Sequence, residues 1–187
     1  MEIINNNPFR LIGVKSSDSD KDILKQLTKI TRFSEVGKDI SFETDLPHLG
    51  EIIRSKENIN QAKRNLEKPQ DKLFHSLFWF NIENHIDETG FESLKKKKVD
   101  KAVEIWRKVV KDGKVSSKNY TTLSNLKSLL LILSFQKNFN KDYFIEGMNL
   151  SGLFFSSPEF KNYNKKIIPD VSSHDSVAIQ KKFIDNL

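Results

Sequence analysis

Histidine, cysteine and paired carboxylates build most catalytic and metal sites, and this chain offers few of them in useful patterns. It has no cysteine. Its four histidines, His48, His75, His85 and His174, lack the spacing that places two metal ligands on one helical face. His75 lies among aromatic residues, as a hydrogen-bonded core histidine does. We therefore predict no metal site and no cofactor.

Carboxylates are scattered, apart from four close to one predicted helix start, where negative charge suits the helix dipole. These are Glu83, Asp87, Glu88 and Glu92. The sequence has no glycine-rich phosphate loop and no nucleophile elbow. Serines are plentiful, but they stand where helices begin and are typical of N-caps. These patterns predict that the protein is not an enzyme.

A stripe of basic residues on the first long predicted helix is a better candidate for a site. The residues are Lys21, Lys25, Lys29 and Arg32. Charge complementarity of this kind steers a partner with an acidic surface and fixes its orientation. The alternative is a solvated face whose charge is balanced by Asp18, Asp20 and Asp22. The sequence leaves both interpretations open.

The formal net charge of +6 raises the question of nucleic acid. Of the 31 basic residues only five are arginine, the side chain that contacts phosphate and guanine with two hydrogen bonds. The lysine run at 95–98 lacks the interleaved aromatic residues of single-strand binders. A nucleic-acid-binding module is therefore disfavoured and kept as an alternative.

Helical periodicity organises the first half of the chain. Ser17 and Ser19 are suited to cap a helix predicted over 20–34, Ser55 to cap one over 55–67, and Pro69 to open a third helix. In the second half, apolar residues recur at helical spacing up to about residue 150, with one helix predicted to start at Ser116 or Ser117 and Asn140 as a further N-cap. No pattern places residues 152–175.

The third helix, predicted over 70–80, is apolar most of the way round and is therefore expected to be buried on more than one side. We predict that it joins two helical units through an interdomain aromatic cluster. The alternative is an exposed groove for a partner, which is less favoured because large exposed apolar patches are uncommon. The cluster consists of Phe74, Phe78, Trp79 and Phe80.

No segment alternates cleanly as a strand would, so the sequence predicts an all-α fold with helical units over 1–80 and 86–187. The N-terminus lacks the basic-then-apolar pattern of a signal peptide. The most apolar run, Leu129 to Leu133, is far shorter than the roughly 18 residues that span a bilayer. We expect a cytoplasmic protein that does not enter membranes.

Residues 7–75 resemble the J-domain family of co-chaperones. The family's opening is similar to NPFRLIGVKSSDSDKDILKQL at 7–27, and its third helix to ENINQAKRNLEKPQDKLF at 57–74. The departure is the His-Pro-Asp tripeptide, through which J-domains stimulate their seventy-kilodalton heat-shock partner. Glu35-Val36-Gly37 stands in its place, and the tripeptide occurs nowhere in the chain. The resemblance implies a degenerate J-like unit of the kind found in bacterial J-like proteins.

The second half resembles tetratricopeptide-like helical pairs. FESLKKKKVDKAVEIWRKVV at 91–110 is similar to the turn and second helix of that motif, and NYTTLSNLKSLLLILS at 119–134 to the first helix of a following unit. Such pairs stack and present surfaces to partners.

Together the two resemblances predict a non-catalytic adaptor for a protein partner, with a heat-shock chaperone as a candidate. The alternatives are an active co-chaperone with a non-standard trigger and a basic nucleic-acid-binding module.

Overall fold

A computed structural model describes residues 2–38, 40–136, 138–169 and 176–187. None of these residues forms a strand, which confirms the all-α class. The α-helices are α1 (Glu2–Asn5), α2 (Pro8–Ile12), α3 (Asp20–Glu35), α4 (Lys56–Glu67), α5 (Pro69–Ser76), α6 (His85–Lys95), α7 (Val99–Val110), α8 (Tyr120–Ser134), α9 (Lys141–Ser156), α10 (Glu159–Ile167) and α11 (Ser176–Asp185).

The apolar segment near the N-terminus forms the short helix α2. The Asn7 side chain accepts a hydrogen bond from the backbone N–H of Phe9 at 3.1 Å. Gly13 ends the helix in the left-handed region with φ 79°, where glycine is favoured. The helix packs against α3 and α4. Its buried apolar side chains, with that of the residue after Gly13, are Phe9, Leu11, Ile12 and Val14.

Three of the predicted N-caps are confirmed, whereas Ser17 lies before the cap of α3 and the helix predicted to start at Ser116 or Ser117 begins at Tyr120. Ser19, Ser55 and Asn140 each accept a hydrogen bond from the backbone N–H three residues further on, at 3.0–3.2 Å. Each bond satisfies a donor that has no partner within its helix. Pro69 is the first residue of α5, as predicted. Local sequence therefore determines where α3, α4, α5 and α9 begin.

The prediction of one helix over 70–80 is wrong beyond Ser76, where α5 ends. The next carbonyl, Leu77 O, accepts hydrogen bonds from Lys127 Nζ at 2.6 Å and Ser128 Oγ at 3.1 Å. Both donors lie on α8, fifty residues away in sequence. Because two side chains of α8 donate to the Leu77 carbonyl, the helix can end here without leaving that carbonyl unpaired.

Two helical hairpins make up the centre of the second half: α6 with α7, and α8 with α9, with α7 packed on α8. Helix α8 is buried on nearly its whole circumference, because α6, α7 and α9 all contact it. Its buried polar residues are Thr121, Thr122, Ser124, Asn125, Lys127, Ser128 and Ser134. The likeness of these hairpins to tetratricopeptide units stays a prediction.

The stretch 152–175, which the sequence left unplaced, continues α9 to Ser156 and then forms α10. Residues 170–175 lie outside the described part of the chain. Helix α11 packs on α5, and the ring of Phe183 stacks on that of Phe78 with centroids 4.6 Å apart.

Buried apolar side chains from α1 to α11 form one continuous cluster. The cluster includes residues of both predicted units. The segment that follows α5 therefore belongs to a core to which both units contribute. The division into domains at 1–80 and 86–187 stays a prediction.

Candidate functional site

The basic residues predicted as a partner-binding face lie together on the exposed side of α3. They are Lys21, Lys25, Lys29 and Arg32, and all four are exposed. Successive members are three or four residues apart, which places them in one stripe along the helix. They line one shallow depression of the surface. The opposite side of α3 faces the core through Ile23, Leu27 and Ile30.

The carboxylates that could balance this stripe are engaged elsewhere. Asp18 Oδ2 accepts a hydrogen bond from the backbone N–H of Lys15 at 3.0 Å. Asp20 pairs with Lys72, and Asp22 Oδ2 accepts from the N-cap hydroxyl at 2.6 Å. Within the described ranges, none of the four basic side chains is in an ion pair. The four cations of the stripe are therefore not neutralised by direct ion pairs, although Asp18 and Asp22 remain nearby.

An exposed aliphatic side chain stands beside the stripe. Leu24 is 63% exposed and borders both the basic depression and a separate groove of about 270 Å³. Apolar residues of α3, α4 and the end of α10 contribute to that groove: Ile23, Leu27, Leu66, Ile167 and Ile168. A molecule that contacts the basic stripe therefore also meets apolar surface.

Glu35-Val36-Gly37, which takes the place of the J-domain tripeptide in the resemblance, lies at the end of α3. All three residues are exposed, and Gly37 adopts a left-handed φ of 64°. The side chains of Glu35 and Val36 make no hydrogen bond or ion pair to any other described residue.

The loop after this segment is organised by two arginines that sequence reasoning missed. Arg10 is buried and donates to four backbone carbonyls within 45–51, at 2.6–3.4 Å. Burial lowers the pKa of Arg10 to about 10, so the group stays charged at neutral pH. Arg54 pairs with Asp45 and donates to the carbonyl of Leu11 at 2.8 Å. Side chains distant in sequence thus hold this loop.

All four aromatic side chains of the predicted cluster are buried: Phe74, Phe78, Trp79 and Phe80. Trp79 Nε1 donates to the carbonyl of Val14 at 2.9 Å, and the ring of Phe80 lies 5.8 Å from that of Trp106. These contacts reach residues on both sides of the predicted domain boundary. Phe78, Trp79 and Phe80 therefore do not form an open groove for a partner, whereas Phe74 borders a cleft of the surface.

The histidines are dispersed. Burial lowers the pKa of His75 to about 4 and also lowers that of His48, so both rings are neutral at pH 7. His85 is exposed, and His174 lies outside the described residues. Within the described part of the chain, no group of three or more His, Asp or Glu side chains could hold a metal ion.

The acidic residues near the start of α6 do not converge on a common site. Asp87 is buried and accepts hydrogen bonds from the hydroxyls of Thr121 and Thr122 on α8. Burial raises the pKa of Asp87. The other three are exposed or half-buried at the surface: Glu83, Glu88 and Glu92. Asp87 therefore joins α6 to α8, and the group offers no pair of carboxylates around a shared cavity.

Sequence reasoning also missed an uncharged cleft of about 550 Å³. It lies among the ends of α1, α8 and α11 and is bordered by residues of α4 and α5. Its lining residues are Ile3, Asn6, Gln61, Asn65, Phe74, His75, Phe135, Asn186 and Leu187. They come from separate parts of the sequence, so no local motif predicts the cleft.

Comparisons with protein-family models, with curated proteins and with solved structures find no significant match. Among the helices that the structure describes, none combines the length and the apolar character needed to cross a membrane.

Proposed function

We propose that the protein is a non-catalytic adaptor that binds a protein partner with an acidic surface through the basic stripe of α3. The proposal rests on four exposed cations that lie in one stripe and form no ion pair with any described residue. The J-like layout of the sequence supports a seventy-kilodalton heat-shock chaperone as the candidate partner.

The stripe costs the free protein some stability, which is a reason to assign it a role. Like charges at i and i+4 on a helix are destabilising by about 0.2–0.5 kcal/mol per pair. Lys21 with Lys25, and Lys25 with Lys29, are two such pairs. An acidic partner removes this repulsion on binding, accelerates the encounter and fixes the orientation of the complex.

Exposed charge alone gives little affinity, because surface ion pairs contribute about 0–1 kcal/mol. Leu24 and the adjoining groove add an apolar contact beside the stripe. We therefore expect the partner to present acidic residues together with an aliphatic side chain. Because Glu35-Val36-Gly37 stands in place of the His-Pro-Asp tripeptide, the adaptor binds without stimulating ATP hydrolysis.

Two matched charge reversals test the proposal. The first is the α3 triple variant, Lys21→Glu with Lys25→Glu and Lys29→Glu. The control reverses three exposed lysines between α7 and α8: Lys111, Lys114 and Lys118. Each reversal removes two units of charge, so both triples bring the formal net charge from +6 to zero. The two triple variants then differ only in where on the surface the charges are reversed.

Binding is measured by affinity capture from the native cell and by titration against the purified cognate heat-shock chaperone. We expect the α3 triple to lose at least about tenfold in affinity, or about 1.4 kcal/mol, and the control to keep it. Equal losses in the two triples would show that net charge alone controls binding.

Two further measurements separate the alternatives. ATPase stimulation comparable to that of an ordinary J-domain would overturn the non-catalytic part of the proposal. Binding to DNA or RNA that falls steeply with salt, and is lost in the α3 triple, would assign the stripe to nucleic acid.

A further inference from the structure

The uncharged cleft differs in chemistry from the rest of the surface. Charged residues make up 30% of the chain, yet none of the side chains that line this cleft is Asp, Glu, Lys or Arg. Its histidine, His75, is neutral because burial keeps its pKa at about 4. Its polar groups are the amides of Asn6, Gln61, Asn65 and Asn186.

Some of these amides are held in place, and others have unused hydrogen-bonding groups. Gln61 Nε2 donates to Asn65 Oδ1 at 2.8 Å, and Asn65 Nδ2 lies 3.2 Å from His75 Nε2. These two contacts fix the orientation of the Asn65 side-chain amide. Among the described residues, Gln61 Oε1, Asn186 Oδ1 and the side-chain amide of Asn6 have no hydrogen-bond partner.

A side-chain amide carries a donor and an acceptor, as a peptide group does. Two residues in the core show how a side-chain amide and a peptide group hydrogen-bond to each other. Asn125 Oδ1 accepts from the backbone N–H of Asn81 at 2.8 Å, and Asn125 Nδ2 donates to the carbonyl of the same residue at 2.7 Å. The amides of the cleft can hold a bound peptide backbone with the same pair of bonds.

An exposed aromatic group adjoins the cleft at the turn between α8 and α9. Phe135, Phe139 and Phe144 have ring centroids 5.5–5.7 Å apart. Phe135 is 37% and Phe139 59% exposed. The rings are tilted against one another by 53–85°. They form an angled apolar surface beside the polar cleft and do not lie in one plane.

We propose that this cleft binds an extended, uncharged peptide segment of a second protein partner. The backbone of the segment hydrogen-bonds to the amides of Asn6, Gln61 and Asn186. A large apolar side chain of the segment packs on Phe135 and Phe139. The adaptor then has two sites of opposite character, a basic stripe for an acidic partner and an uncharged cleft for a neutral one.

Two other ligand classes compete with a peptide for this cleft. The Lys182 ammonium lies 4.4 Å from the Phe74 ring but is paired with Asp71, so a phosphate or an acidic peptide would lose hydration without gaining a free counter-charge. A sugar could use the amides and stack on the single exposed ring of Phe139, so neutral oligosaccharides are tested beside the peptides. A peptide uses both features, because its backbone matches the amides and its side chain fits the angled surface.

The test begins with a phage-displayed library of random linear dodecapeptides, selected on the full-length chain. Selected peptides are synthesised, and their affinities are measured by fluorescence anisotropy. We expect them to be uncharged at their centre and to contain one large apolar residue. The side-chain NH2 signals of Asn6, Gln61 and Asn186 should shift in 1H–15N spectra on binding.

Variants locate the bound peptide. Phe139→Ser, and Gln61→Ala combined with Asn186→Ala, should each weaken binding at least about tenfold. Ile53→Ser is the matched control, because Ile53 is 57% exposed and lies outside the cleft lining, and it should bind normally. The α3 triple should also bind normally, so failure of the cleft proposal is distinguishable from failure of the adaptor proposal.

Replacing single peptide N–H groups by N–CH3 tests the backbone contact directly. At least one position should lose about tenfold in affinity. If every N-methylated peptide binds as well as its parent, or if both cleft variants bind normally, the proposal is wrong. It is equally wrong if no peptide is enriched, and a shift of the same amide signals with a panel of neutral oligosaccharides would then assign the cleft to sugars.

Discussion

The ammonium group of Lys127 lies 2.6 Å from the carbonyl oxygen of Leu77, in the core between α8 and the segment that follows α5. The rings of Phe183 and Phe154 lie 4.9 and 5.8 Å from the same nitrogen. No acidic side chain in the described ranges pairs with it. A fully buried lysine without a counter-charge is costly, so the stability of this fold should depend on the protonation of Lys127.

The unfolding free energy should therefore rise with pH above neutrality. Burial lowers the pKa of Lys127 from 10.5 to about 7. Between these values the unfolded chain binds a proton that the folded chain lacks, so this contribution to stability increases as pH rises from about 7 and is constant below it.

The variant Lys127→Met isolates this contribution. It should be more stable than the parent by about 1–4 kcal/mol below neutral pH, with a difference that shrinks toward pH 10. The Leu77 carbonyl keeps the Ser128 hydroxyl as a donor at 3.1 Å. Urea unfolding at several pH values measures the difference, with exposed Lys118→Met as the control. A difference that does not change with pH would contradict the burial of an ionisable amine.

Asn125 and Asn81 should differ in how much stability is lost on truncation to alanine. Asn125→Ala leaves the backbone N–H and carbonyl of Asn81 without partners, at a cost of about 1–3 kcal/mol for each buried group. The Asn81 side chain has no hydrogen-bond partner among the described residues, so Asn81→Ala should cost less than Asn125→Ala. Thermal and urea unfolding of both variants measure this, and equal losses would mean that the two-bond contact contributes nothing.

Trp79→Ala should destabilise the fold by about 3–5 kcal/mol, because it removes a large buried ring. Trp79→Phe keeps most of the apolar bulk but leaves the Val14 carbonyl without its donor, so it should cost about 1–3 kcal/mol. Exposed Phe139→Ala is the control for loss of an aromatic ring. An unchanged melting temperature in Trp79→Ala would mean that the ring is not in the core.

Features that depend on a few neighbouring residues could be predicted from the sequence. The caps at Ser19, Ser55 and Asn140 follow from side chains that reach only three residues along the chain. The basic stripe follows from helical spacing alone. Whether its charge was already balanced could not be predicted, because the partner of Asp20 is Lys72, on α5.

Features that depend on residues far apart in the sequence were missed, because no local pattern shows which of them come into contact. The end of α5 is determined partly by donors on α8, and the loop within 45–51 by Arg10. The cleft was missed because its amides, Asn6, Gln61 and Asn186 among them, lie on separate helices or helix ends. Each of these features exists only after the helices have packed.

Two glycines within helices should respond oppositely to alanine. A Cβ on Gly90 would lie 2.2 Å from Trp106 Nε1, so Gly90→Ala forces α6 away from α7 and should cost about 1–3 kcal/mol. A Cβ on Gly152 of α9 meets nothing within 4 Å. Gly152→Ala should therefore stabilise by about 0.5–1 kcal/mol through helix propensity. Calorimetric melting of both variants measures this, and a neutral Gly90→Ala would mean that α6 and α7 do not approach closely.

The single variant Lys25→Glu should make the protein more stable and a weaker binder. Reversing Lys25 turns two repulsive i,i+4 pairs, with Lys21 and Lys29, into attractive ones, which should add roughly 0.5–1.5 kcal/mol at low salt. The same change places a negative charge in the middle of the proposed partner surface, so affinity for the acidic partner should fall while the melting temperature rises. Lys118→Glu, which makes the same charge change at an exposed position before α8, is the control and should leave binding unchanged. If the stripe is only a solvated face, Lys25→Glu should raise the melting temperature without weakening binding. That outcome would assign Lys21, Lys25 and Lys29 no role in recognition.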